Sequence, residues 1–157
     1  MISRKIYASS ESAEWETPQE LFDKLDAEYH FDVDVCATQE NAKCARYYTR
    51  EDDGLKQEWR GTCFMNPPYG RDIQKWMEKA YTESRVNGAT VVCLVPSRTD
   101  TRWWHDYAMR GKIQFLRGRI KFGQSKNPAP FPSAIVVFGD DDKQEERTHV
   151  RAEEQSH

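Results

Sequence analysis

The sequence has no paired metal-ligand spacing, no long apolar run and no strong net charge of either sign. Cys36, Cys44, Cys63 and Cys93 form no C-x-x-C pair, and His30, His105, His149 and His157 form no H-E-x-x-H. Zinc-ribbon, zincin and disulfide-framework chemistries are therefore not expected, and no metal is assigned. Cys63 and Cys93 lie in apolar, strand-like runs, which predicts free thiols in a reducing compartment. No apolar run approaches the roughly 20 residues of a membrane span. The opening MISRKIYASSESAEW lacks the apolar stretch of a leader peptide, so a cytoplasmic protein with no membrane partner is expected. With 38% hydrophobic and 12% aromatic residues in 157, the chain is too apolar for disorder and is sized for one core.

The formal net charge of −3 is a sum over opposed segments. Glu11 to Glu58 hold fourteen acids and five bases, a net of −9. Arg98 to Lys126 hold eight bases and two acids, a net of +6. Asp140 to His157 hold seven acids and three bases, a net of −4. A near-zero total thus conceals a basic stretch able to meet an anionic polymer.

Three segments are predicted along the chain: a polar arm over 1–14, one folded domain over 15–138 and an acidic, disordered tail over 139–157. Within the domain, Thr17-Pro18-Gln19-Glu20 reads as a capped helix start, and Leu21, Phe22, Leu25 and Tyr29 fall on one helical face. Phe31 to Cys36 alternates as a strand does, and residues 40–48 are expected to form a short helix. Thr62-Cys63-Phe64-Met65 predicts a strand, and Ile73, Trp76, Met77, Ala80 and Tyr81 mark a helix that stops near Gly88. Ala89 to Val95 reads as a fully buried parallel strand. A helix around Trp103, Trp104 and Tyr107 follows, then strands near 112–116, 119–122 and Ser133 to Phe138. This alternation predicts an α/β fold, with a mixed, mostly parallel sheet covered by helices on both faces. Ligands of such sheets sit at the carboxyl ends of the strands.

Asn66-Pro67-Pro68-Tyr69 closes the second predicted strand at that end. Each proline fixes its own φ, restrains the residue before it and removes an N–H. The loop therefore offers acceptors, the Asn66 side-chain carbonyl and the Pro67 carbonyl, beside the Tyr69 ring. That set suits a planar ligand carrying an amino group, whose two N–H bonds the carbonyls accept while the ring stacks. A structural turn, with Asn66 capping and Tyr69 packing, accounts for the spacing equally well. Asp32 and Asp34, two apart in a strand, face one side; Asp34 is nearer the strand end and the better ligand contact.

The ordered set Trp15-Glu16-Thr17-Pro18, Phe31 to Ala37, Asn41-Ala42-Lys43-Cys44, Asp53-Gly54-Leu55 with Trp59, Asn66 to Tyr69, Leu94-Val95-Pro96 and Gly118 to Phe122 resembles the phage-type, Dam-like DNA N6-adenine methyltransferases over roughly residues 15–138. The resemblance implies a Rossmann-like fold that binds S-adenosylmethionine and methylates the exocyclic amine of an adenine flipped out of DNA. By position, Asn66 and Pro67 would hold the amine, Pro68 would stiffen the loop and Tyr69 would stack on the base. Trp15, Thr17, Pro18, Asp34, Cys36, Ala37, Asp53 and Asn66 would contact the cofactor. The turn Cys36-Ala37-Thr38-Gln39 departs from the glycine-rich cofactor turn of many methyltransferases. Other readings are an N-methyltransferase acting on RNA or a protein amide, and an inactive DNA-binding relative. The resemblance places the protein in bacterial cytoplasm and leaves the oligomeric state open, a monomer included.

The basic stretch interleaves cations with Trp103, Trp104, Phe115 and Phe122, as a nucleic-acid groove does. Arg98, Arg102, Arg119 and Lys121 are the expected DNA contacts, while Trp104 and Phe115 are expected in the core. Little chain remains for a separate recognition domain, so specificity is assigned to loops within 98–132, with a short or relaxed target sequence expected.

Overall fold

In the computed structural model, which describes residues 15–140, the apolar runs pair into one five-stranded sheet. Its strands are β1 (Val33–Asp34), β2 (Thr62–Met65), β3 (Thr90–Pro96), β4 (Lys112–Phe115) and β5 (Ser133–Phe138), in the order β1-β2-β3-β5-β4. Cys63 stands opposite both Val33 and Val91 in two parallel pairings, whereas β5 runs antiparallel to β3 and to β4. The sheet is therefore mixed but not mostly parallel. Parallel neighbours need a crossover; α2 (Ile73–Val86) supplies one between β2 and β3. The chain leaves β4 through an irregular segment and inserts β5 between β3 and β4, reversing direction there.

Alternation along the strands sorts the core into two faces. Phe64, Val92, Leu94, Ile135 and Val137 pack with Phe22 and Leu25 of α1 (Gln19–Tyr29) and with Phe122 and Ala129. Cys63, Met65, Val91, Cys93, Val95 and Val136 pack on the other side with Ile73, Trp76, Met77 and Ala80 of α2, and with Trp59, Trp103 and Trp104. Helices thus cover both faces, as expected. Every residue of β3 and β5 is buried, and each large apolar side chain so placed contributes about 1.5–3 kcal/mol relative to exposure.

Four local expectations are corrected. Residues 40–48 form no helix: Thr38 and Asn41 exchange side-chain hydrogen bonds in a turn, and Tyr47 bridges the open edge of β1. There the Asp34 N–H donates to the Arg46 carbonyl, and the Tyr48 N–H donates to the Asp34 carbonyl. Satisfying an exposed strand edge outweighs helix formation over so few residues. No strand forms at 119–122: Gly118 and Gly123 have positive φ, and Pro128, Pro130 and Pro132 remove ladder donors from the facing segment. Thr17 does not cap α1, since Pro18 holds the N-cap position and the Thr17 hydroxyl is engaged elsewhere. Trp104 is buried, but Phe115 is 64% exposed and stacks on Trp104 from outside.

The predicted arm and most of the predicted tail lie outside the described residues. Gly139 and Asp140, assigned to the tail, pack at the end of the sheet: Asp140 is buried and Thr90 Oγ1 donates to the Gly139 carbonyl. No described helix is long and apolar enough to cross a membrane, and no described group of three or more His, Cys, Asp or Glu side chains could hold a metal. All four cysteines are free.

Candidate active site

β2 delivers Asn66 to the carboxyl end of the parallel strands. Its side-chain Nδ2 donates to the Trp15 carbonyl at 2.7 Å and to Thr17 Oγ1 at 2.9 Å. A backbone carbonyl only accepts, so the atom facing Trp15 must be the nitrogen, and this contact fixes the amide's orientation. Oδ1 points away, shielded from solvent and without a hydrogen-bond partner. Leaving such an acceptor unpaired costs about 1–3 kcal/mol. Two further buried, partnerless side-chain oxygens, Ser97 Oγ and Ser133 Oγ, flank Pro96 at this same end of the sheet.

Pro67 is buried and Pro68 exposed, so one stiffens the inside of the loop and the other its rim. Tyr69 is anchored by its hydroxyl, which donates to the Leu94 carbonyl at 3.0 Å. Its ring stacks on Trp15 with centroids 6.2 Å apart and meets Phe122 and Phe131 edge-on. Burial, with Cys36 next in effect, holds the phenol well above its ordinary pKa, so Tyr69 stays protonated. Aromatic contacts of this kind contribute about 0.5–1.5 kcal/mol beyond burial. The four rings form a box beside the Asn66 amide, and a cavity of about 230 Å³ opens next to it, lined by Trp15, Phe122 and the 125–130 loop.

Residues 15–17 strap this box down. Besides the two acceptors for Asn66, the Glu16 carbonyl accepts from the Gly123 N–H at 2.9 Å, and the Glu16 carboxylate pairs with Lys43 at 3.7 Å.

At the end of β1, Asp34 is 3% exposed, and its carboxylate accepts from the Cys36 N–H at 3.3 Å and the Lys43 N–H at 3.1 Å. Asp34 thus shapes the glycine-free turn from within and presents little to a ligand. Burial raises its pKa from the usual range to about 6, against the opposing pull of those two N–H groups. The Cys36 thiol, pushed up to about 12 by burial and by Asp34, is no nucleophile at neutral pH. Ala37 is buried, with its N–H donating to the Tyr48 carbonyl.

Asp53 reaches this strand end through Gly54. A Cβ at position 54 would lie 2.3 Å from the Val35 carbonyl, so only glycine lets the turn approach β1 so closely. Trp59 Nε1 donates to the Gly54 carbonyl and locks the turn. Asp53 itself adopts a left-handed conformation, half-buried, with Lys56 3.8 Å from its carboxylate.

Arg98, Arg102, Arg119 and Lys121 are all exposed, and none forms an ion pair with a described residue. The Arg98 guanidinium lies over the Phe131 ring, 5.8 Å from its centroid, which ties the first cation of the basic stretch to the aromatic box. Trp103 and Phe122, read as groove aromatics, are buried in the core. Sequence reasoning missed Phe131 as a box member and Leu94 as the Tyr69 acceptor. An aromatic between two prolines was a signal for the first; a backbone carbonyl carries none.

The carboxyl ends of the parallel strands thus bring together an acceptor-bearing loop and an aromatic box, and exposed cations that form no ion pair with a described residue follow in the 98–126 stretch. A family model described as DNA N-6-adenine-methyltransferase (Dam) matches residues 6–152. The chain is 27% identical over 148 residues to the DNA N-6-adenine-methyltransferase of Haemophilus phage HP1 (strain HP1c1), covering 88% of this chain and 85% of the relative. It is also 27% identical over 128 residues to the DNA N-6-adenine-methyltransferase of Escherichia phage T1, covering 66% and 54%. The chain belongs to the DNA N-6-adenine-methyltransferase (Dam) family.

Proposed function

We propose that this chain methylates the N6 amine of an adenine rotated out of DNA, with S-adenosylmethionine as donor. The observation that carries this reading is Asn66 Oδ1, a buried acceptor held free of partners beside an aromatic box. The adenine amine is a weak nucleophile because its lone pair is delocalised into the ring. Accepting its two N–H bonds, at Asn66 Oδ1 and at the Pro67 carbonyl, favours pyramidal nitrogen and stabilises the positive charge that develops only as the new bond forms. Asn66, Pro67, Pro68 and Tyr69 include no base that is free at neutral pH, so the loop orients and polarises the amine, and the methylated nitrogen, strongly acidic once the carbon–sulfur bond has broken, gives up its proton to solvent afterwards. Tyr69, held by Leu94 and packed against Trp15, supplies the aromatic wall of the site.

The donor fits the strand ends. Asp53 carries a half-buried carboxylate, the Cys36-Ala37 turn lies beside the Gly54 turn that presents it, and Trp15 and Pro18 stand on the other side, where Thr17 and Asn66 are hydrogen-bonded to each other. Asp34 serves by holding the turn. When bound there, S-adenosylmethionine supplies a methyl group activated by a sulfonium. Arg98, Arg102, Arg119 and Lys121 are free to meet phosphates, which repays part of the few kcal/mol needed to extrude the base. Recognition of sequence falls to the 98–132 segment, including the loop that lines the cavity, and favours a short or relaxed target.

Sequencing methylated adenines in DNA from cells that express this chain and lack other adenine methylation tests the reading. N6-methyladenine at many sites sharing a few bases, absent with Asn66→Ala, is the expected result. Confinement to one long motif would contradict the recognition claim, and no methylated adenine would contradict the activity.

A further inference from the structure

We infer that Thr17 is a positioning residue for the Asn66 amide, acting through a hydrogen bond to Nδ2 rather than as a cap of α1 or only as a cofactor contact. Thr17 is 4% exposed, and its Oγ1 lies 2.9 Å from Asn66 Nδ2, forty-nine residues away in sequence. The amide nitrogen has two hydrogens and finds two acceptors, the Trp15 carbonyl at 2.7 Å and this hydroxyl. With both engaged, the nitrogen is satisfied and the plane of the amide is set by two directions instead of one. Oδ1 then has a single position, and that position is where the amine must be met.

The two acceptors do different work. The Trp15 carbonyl accepts only and forbids the flipped amide; a hydroxyl can accept or donate, so Thr17 alone would tolerate either orientation. Thr17 instead fixes the rotation of an amide whose sense the carbonyl has already chosen. The strap itself is tied at Glu16, by the Gly123 N–H and by Lys43, so the hydroxyl is presented from a held backbone. A 1 Å misplacement of a catalytic group is enough to lower a rate about 100-fold, so an amide held at one acceptor only is expected to lose turnover while the cofactor is bound as before.

This catalytic role rests on the methyl-transfer reading, whereas the hydrogen bond behind it can be measured without any activity. In the full chain, Thr17→Val removes the hydroxyl at similar volume, and Thr17→Ser keeps it. Two measurements are needed on each: steady-state methyl transfer to adenine-methyl-free genomic DNA, and exchange of the Asn66 side-chain amide protons by ¹⁵N NMR. For Thr17→Val the expectation is a kcat lowered about 10- to 100-fold, a KM for S-adenosylmethionine within about twofold of wild type, and faster Asn66 amide exchange; Thr17→Ser restores all three. An unchanged kcat, or a raised KM alone, overturns the positioning role, and unchanged exchange in Thr17→Val overturns the hydrogen bond itself. If the wild type methylates no adenine while its Asn66 protons are protected and Thr17→Val exposes them, the activity fails and the hydrogen bond stands.

Discussion

The two edges of the sheet differ in how their charges are used. The edge at β1 belongs to the segment with a net charge of −9, and three of its five cations are matched: Lys24 with Glu20, Lys43 with Glu16, and Lys56 with Asp53, while Arg46 donates to the Tyr48 hydroxyl. The edge at β4 belongs to the segment with a net charge of +6, and none of its cations forms an ion pair with a described residue. Strand order β1-β2-β3-β5-β4 turns a polarity along the chain into one across the sheet, with Asn66 after β2 between the two. On the proposed reading, the cationic methyl donor would meet the first edge and the DNA backbone the second. A summed charge near zero is therefore no argument against a DNA partner.

The sharpest way to break this arrangement is to remove what stands between the edges. Asn66→Ala is expected to lower kcat for methyl transfer by about 10²–10³-fold, the scale of losing one oriented group that stabilises transition-state charge. Its thermal unfolding should remain cooperative. Activity near wild type would remove Asn66 from the chemistry and leave it a turn residue.

Next come the edges themselves. Each of Arg98→Ala, Arg102→Ala, Arg119→Ala and Lys121→Ala should reduce the slope of log DNA affinity against log salt by about 0.9 where the side chain meets a phosphate. Lys24→Ala and Lys56→Ala, at the paired edge, should leave it unchanged. Equal effects at both edges, read from a salt titration, would erase the contrast.

A smaller effect belongs to Asp34 at the acidic edge. Its pKa of about 6 is above the unfolded value near 4, so the folded chain binds this proton more tightly than the unfolded one. That contribution is fully present below pH 4 and fades as the pH rises through 6, a loss of about 3 kcal/mol. Urea unfolding between pH 4 and 7 should show this decline in wild type and not in Asp34→Asn. The same slope in both would place the titration elsewhere.

The smallest effect is expected at β4. Phe115, 64% exposed, should tolerate Phe115→Ser within about 1 kcal/mol of the wild-type stability. A loss like that of a buried aromatic, about 3–5 kcal/mol, would return Phe115 to the core.

Much of this was legible in the chain. Burial imposes periodicity, so α1, α2, β2, β3 and β5 stand where apolar spacing placed them, and Asn66-Pro67-Pro68-Tyr69 stands at a strand end. Periodicity carries no strand direction, which is why the insertion of β5 between β3 and β4 was not visible. The 40–48 segment was misread because its backbone answers to the open edge of β1, a partner distant in sequence. Thr17 was misread for the same reason: Thr-Pro-Gln-Glu is a sound local capping signal, and a hydroxyl acceptor for Asn66 is a tertiary demand that overrode it.

The central claim is that Asn66 Oδ1 and its aromatic box receive an adenine amine. It is tested most directly by locating the label after DNA is treated with this chain and S-adenosylmethionine bearing a CD₃ group. Digestion to nucleosides and mass spectrometry should find CD₃ on N6 of deoxyadenosine, and not with Asn66→Ala. Label on deoxycytidine, on no nucleoside, or on adenine at an undiminished rate in Asn66→Ala would contradict the account.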